Sequence, residues 1–169
     1  MSSLNGMDPA DIAAAIAEAK ADPARSERHP HLVAEWTGAD RSRVRIDGKT
    51  LDVSGPGHLD AMQLVLAAYA ACIIELIATH ATLMGLTIRS LELELDAHFD
   101  VRAYLGLEGP APGYDRLGLT ARLCADGITD EQAQRLQEWM ERASPVGATL
   151  AGGLQLRPRL EIVREPAAG

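Results

Sequence analysis

The sequence predicts an α+β fold in which an antiparallel sheet packs on a long buried central helix. Three observations predict it. The run Leu59–Met84 is apolar nearly all round, as a helix inside a core is. On either side of it, short segments alternate apolar and polar residues, the period of half-buried strands. Strands do not take regular turns with helices, which argues against a parallel βαβ sheet.

The first helical segment is Asp8–Lys20. Asp8 suits an N-cap, Pro9 the first helical position and Asp11 the first turn. Ile12 and Ile16 fall one turn apart on one face. The helix ends before Asp22-Pro23, because a residue preceding proline avoids the helical region. Residues 22–30 are polar and read as a linker. The expected division is therefore a helical extension and linker, 1–29, ahead of a single domain, 30–169.

Strand-like pieces follow at His31–Thr37, Ser42–Asp47 and Lys49–Val53, with Asp47-Gly48 as a hairpin signal. Pro56 and Gly57 break the chain before the central helix, and Gly85 is placed to end it. Leu91, Leu93, Leu95, Ala97 and Phe99 then alternate with Glu92, Glu94, Asp96 and His98. This strand bends near Asp100–Tyr104 and stops at Glu108-Gly109-Pro110. Arg116–Cys124 alternates again, with Cys124 opposite the face of Leu117, Leu119, Ala121 and Leu123. Thr129 and Gln132 fit a capping box, with Ile128 as a staple, for a helix to about Ala143. Ser144-Pro145 is a fresh N-cap and first helical position for a short turn through Leu150, which Gly152-Gly153 ends. Leu154–Val163 reads as a last strand and Glu165–Gly169 as a tail.

The chain has 169 residues, 16 Lys plus Arg and 24 Asp plus Glu, for a formal charge of −8. That balance argues against duplex nucleic acid or an anionic membrane as partner. Lys20 and Lys49 are the only lysines, and aromatics are 4%, too few for a base-stacking surface. Cys72 and Cys124 make no disulfide framework, which favours a reduced, cytoplasmic compartment. The start, MSSLNGMDPADIAAA, lacks the basic and apolar regions of a secretory signal. The most apolar stretch, Leu64–Ile74, ends at Glu75, short of the roughly 20 residues a span needs. The five histidines are scattered and show no metal-ligand spacing. His80, two turns past Cys72, reads as a polar boundary residue.

Leu64–Cys72 (LVLAAYAAC) and Ala143–Leu150 (ASPVGATL), in that order, resemble the two signatures of the OsmC-like family, the osmotically inducible and organic-hydroperoxide-resistance proteins. Asp100–Gly106 and Pro112-Gly113-Tyr114 resemble the strand and loop between them in one subgroup, which also carries an N-terminal helical extension. The resemblance covers roughly residues 30–164. It implies an intertwined homodimer with two active sites at its interface and no cofactor. Its better-known members reduce organic hydroperoxides with a reactive Cys, a resolving Cys, an Arg and a Glu. Cys72 matches the reactive cysteine. Ser144 stands at the second cysteine's position, so the chain resembles a divergent member lacking that sulfur. The acid falls at Met62 or Gln63, neither of them acidic. Arg43 and Arg45 are both candidates for the arginine.

Peroxide reduction requires a thiolate, which attacks the O–O bond and becomes a sulfenic acid for a second thiol to resolve. By its neighbours Ala70, Ala71, Ile73 and Ile74, Cys72 is a buried small hydrophobe. Glu75, one turn on, opposes its ionisation if it points at the sulfur. Two readings result. In one, Cys72 reduces small organic hydroperoxides, aided by Arg43 or Arg45, with Ser144 hydrogen-bonding at the site. An external thiol, or less simply Cys124, then resolves the sulfenic acid. In the other, the dimer is non-catalytic, Cys72 is packing, and the interface pocket binds a small apolar ligand.

Overall fold

The computed structural model describes residues 3–152, in the order α1 (Pro9–Ala21), β1 (Leu32–Gly38), β2 (Arg41–Ile46), β3 (Lys49–Val53), α2 (Ala61–Leu83), β4 (Ile88–Phe99), β5 (Tyr114–Ala125), α3 (Asp130–Arg142) and α4 (Pro145–Ala151). A short 3₁₀ turn, Pro23–Ser26, lies between α1 and β1. The class is the expected antiparallel α+β. The strands form two sheets, β1-β2-β3 and β4-β5, each antiparallel throughout. The strand expected at Leu154–Val163 and the tail after it lie outside the described residues.

Local chemistry explains the boundaries. Asp8 caps α1 through the Ala10 N–H. Asp60 and Gln63 close a capping box at the start of α2, and Thr129 and Gln132 one at α3. At the end of α2, Gly85 takes φ +73°. The Leu86 N–H then reaches the Ala81 carbonyl at 2.9 Å, and the Gly85 N–H the Thr82 carbonyl at 3.0 Å. This is the paired cap that a left-handed residue makes possible.

The extension is tied down in a way its composition does not announce. Leu4 and Met7 pair across a tight turn. The Asn5 side chain donates to Thr82 Oγ1 at 3.0 Å and to the Leu86 carbonyl at 2.9 Å, and accepts from the Ile88 N–H at 2.9 Å. One residue thus fastens the N-terminal turn to the end of α2 and the start of β4.

Burial is uneven. Ile73, Leu76, Ile77, Ala81 and Thr82, all in the second half of α2, are buried, while Ala61–Cys72 contains no buried residue. The buried central helix expected from its composition is thus buried by its own chain along one stripe only. As a whole, Ala61–Leu83 is long and apolar enough to cross a membrane by length and composition alone. The expectation from Leu64–Ile74 was too short, because the apolar pattern resumes after Glu75.

The three-stranded sheet has two unlike faces. Register places Leu32, Ala34, Trp36, Val44, Ile46, Leu51 and Val53 on one, and Glu35, Arg43, Arg45 and Asp52 on the other. Of the apolar set only Val53 is buried, and Trp36 is 77% exposed.

Candidate functional site

Cys72 sits midway along α2, half-buried. Ser144 caps α4 and is 3% exposed. Its Oγ accepts from the Gly147 N–H at 3.0 Å and lies 3.3 Å from Cys72 Sγ. The hydroxyl therefore has an acceptor role toward its own helix and a proton free to donate to the sulfur.

Close approach of α4 to α2 depends on Gly147. A Cβ there would lie 3.1 Å from Tyr69 Cε2 and 3.1 Å from Ser144 Oγ. The missing side chain brings Ser144 against Cys72, the two residues that the signatures single out.

Beside them runs a groove of about 270 Å³ lined by Cys72, Glu75, Leu76, Thr79, His80, Ala143 and Pro145. Glu75 lines the same groove as the sulfur, as its position one turn on suggested. The floor ends at His80, whose ring stacks on Trp139 of α3 with centroids 3.7 Å apart and planes at 20°. His80 Nδ1 is buried and has no hydrogen-bond partner. Burial pushes this imidazole below its ordinary value, so it is held neutral. The sequence placed His80 at a boundary; its partner on α3 carries no local signal.

Arg43 and Arg45 are elsewhere in the chain. Arg43 Nε donates to Asp52 Oδ1 at 2.7 Å across the β2–β3 pair. That bond raises the guanidinium and holds the Asp52 carboxyl below the usual carboxylate range. Arg45 pairs with Glu35 across β1–β2. Neither lines the Cys72 groove of its own chain. Cys124 is exposed on β5, opposite Ser90, on the face away from the leucine row.

The Met62 and Gln63 positions have structural work. Gln63 completes the α2 capping box, and the Met62 carbonyl accepts from the Tyr114 hydroxyl at 2.8 Å. A second, more apolar cavity of about 400 Å³ opens there, between the start of α2 and the Phe99–Gly113 connection. Among the described residues no three His, Cys, Asp or Glu side chains converge as a metal site requires.

The fold matches an OsmC-like protein from Mycoplasma pneumoniae, with a TM-score of 0.63 at 14% identity, over 75% of this chain and 89% of that one. It also matches an OsmC-like protein of unknown function from Vibrio cholerae, TM-score 0.58 at 9% identity, over 74% and 95%. A third match is an organic hydroperoxide resistance protein, OsmC, from Legionella pneumophila, TM-score 0.52 at 19% identity, over 74% and 90%. At these identities the likeness is one of fold. No curated protein matches the chain. A family-wide sequence profile, that of OsmC-like protein, matches residues 54–159 and so takes in α2, Cys72 and Ser144 together. With its central helix, its two-signature contact and its fold all agreeing, the chain belongs to the OsmC-like family.

Proposed function

We propose that this protein is a thiol-dependent peroxidase acting on small organic hydroperoxides through Cys72. The observation that carries the reading is the 3.3 Å contact between Cys72 Sγ and Ser144 Oγ, at the edge of an accessible groove. The Ser144 hydroxyl donates to the thiolate and steadies it. The sulfur attacks one peroxide oxygen and the O–O bond breaks. The departing alkoxide takes up a proton as alcohol, and Cys72 becomes a sulfenic acid. With serine at position 144, no second sulfur is beside it. An external thiol therefore condenses with the sulfenic acid, releasing water. A second thiol then displaces the mixed disulfide and restores Cys72.

The cation that thiolate chemistry needs comes from Arg43 or Arg45 of a second copy in an intertwined homodimer. The uncovered apolar face of the three-stranded sheet and the unburied first half of α2 support that assembly. Residues 1–29 serve as an extension to the domain 30–169, and the compartment is reducing and cytoplasmic, in keeping with two free cysteines.

The test is intact-mass spectrometry after a near-stoichiometric dose of cumene hydroperoxide. A rapid gain of one oxygen that a sulfenic-acid reagent traps, absent in Cys72→Ser, is the expected result. An unmodified Cys72 in folded protein rejects the reading. That outcome favours the second one, a non-catalytic dimer binding a small apolar ligand. Its supporting observation is the apolar cavity at the start of α2, lined by Met62, Phe99, Val101 and Tyr104.

A further inference from the structure

We infer, on the peroxidase reading above, that the Cys72 groove selects a cationic reductant: the external thiol is an aminothiol whose ammonium group pairs with Glu75. This adds the chemical class of the second substrate to that reading.

Along the 23 residues of α2 there is a single Asp, Glu, Lys or Arg, and it is Glu75. It falls one turn past Cys72, on the same side of the helix, and lines the same groove. The residue is exposed, and none of the ion pairs among the described residues takes it. The rest of the lining brings no countercharge. Leu76, Ala143 and Pro145 are apolar, Thr79 is uncharged, and burial holds the His80 imidazole neutral. The two arginines put forward for the thiolate each carry a carboxylate of their own, Asp52 for Arg43 and Glu35 for Arg45. A ligand entering the groove therefore meets one unneutralised negative charge beside the sulfur.

Resolution brings a thiol to that sulfur. Its thiolate attacks Sγ of the sulfenic acid, the S–O bond breaks, and hydroxide leaves with a proton as water. A second thiolate attacks the outer sulfur of the mixed disulfide, the S–S bond electrons return to Cys72, and the reductant departs as its own disulfide. Residues three apart on a helix have Cβ atoms about 5–6 Å apart. A thiol with an amine two or three carbons away spans from Cys72 to Glu75. An anionic thiol meets repulsion there, after approaching a chain of net charge −8. At that separation in water, one unit charge changes the interaction about threefold, so cationic and anionic thiols of similar size differ about tenfold.

The experiment uses the full-length chain carrying Cys124→Ser, so that Cys72 is the one thiol. Cys72 is oxidised with cumene hydroperoxide and mixed at about 10 mM ionic strength, where screening is weak, with cysteamine, N-acetylcysteamine or 3-mercaptopropionate. Quenched samples are read by intact mass. The quantity compared is the ratio of the cysteamine rate to the 3-mercaptopropionate rate, which cancels the thiols' intrinsic differences between protein variants. Glu75→Gln should lower that ratio about tenfold, with N-acetylcysteamine little affected. Glu108→Gln, which removes the same charge from the exposed β4–β5 connection, should leave it unchanged. An unchanged ratio in Glu75→Gln, or an equal fall in Glu108→Gln, overturns the inference. Failure of Cys72 to form a sulfenic acid rejects the peroxidase reading instead. The same rates are then taken on the Cys72 mixed disulfide with 2-thiopyridine, a neutral leaving group that needs no peroxide, where an unchanged ratio in Glu75→Gln again overturns the cationic preference.

Discussion

At position 144, oxygen in place of sulfur keeps one role and removes another. The Ser144 Oγ still caps α4 through Gly147 and still touches Cys72, but it cannot close a disulfide. Ser144→Cys should supply the missing partner, since the two side chains already meet. After one equivalent of hydroperoxide, that variant should lose sulfenic-acid trapping and gain an intramolecular disulfide, seen as a mass loss of two hydrogens. Persistent sulfenic acid in Ser144→Cys would mean the two sulfurs do not reach each other. Much of this site was legible in the sequence, because the cap is local. Serine before proline announces a helix start, and the two signatures identify the pair. Its lining was legible in part: Glu75 follows from one helical turn, whereas neither Arg43 nor Arg45 lines the groove, which no spacing within α2 can reveal.

Between elements, the His80–Trp139 stack joins α2 to α3 and makes their packing sensitive to acid. The folded chain holds His80 neutral, with Nδ1 buried and unpartnered. The unfolded chain takes up the proton at the ordinary value of about 6.5. Protonation therefore favours the unfolded state. This part of the stability is intact above about pH 6.5 and falls as the pH drops from there toward the lower folded value. Urea midpoints measured on either side of that value should differ in the parent, and differ less in His80→Phe, which keeps the stack without the charge. Equal pH dependence in the two would assign the acid sensitivity elsewhere. The elements themselves were readable nearly to the residue where caps and alternation are strong, as at β3, α3 and the end of α2. The stack and the Asn5 clasp were not, since each joins residues far apart in sequence through groups that polarity alone would place at the surface.

For the molecule as a whole, exposed apolar surface argues hardest. Leu32, Trp36 and Leu51 of the three-stranded sheet stand exposed on one face. The chain's most apolar helix is buried along one stripe only. Sedimentation at micromolar concentration should give a dimer. Trp36→Glu, on the apolar face of the three-stranded sheet, should weaken it at least about tenfold. A monomeric parent would remove the source proposed for the active-site cation. Composition had suggested a buried helix without saying which chain buries it; periodicity records that a face is apolar, and is silent on whose surface covers it.

The hairpin at Asp47-Gly48 has a consequence at this scale. Both residues take positive φ, 48° and 74°, in a two-residue turn between the paired Ile46 and Lys49. Side chains alternate with a period of two, so an inserted residue that moved β3 by one place would exchange its faces. Leu51 and Val53 would turn toward the arginines, and Asp52 toward the apolar side. Two small residues in a turn thus act as a parity bit for the sheet: they decide which side carries the apolar row and which the ion pairs.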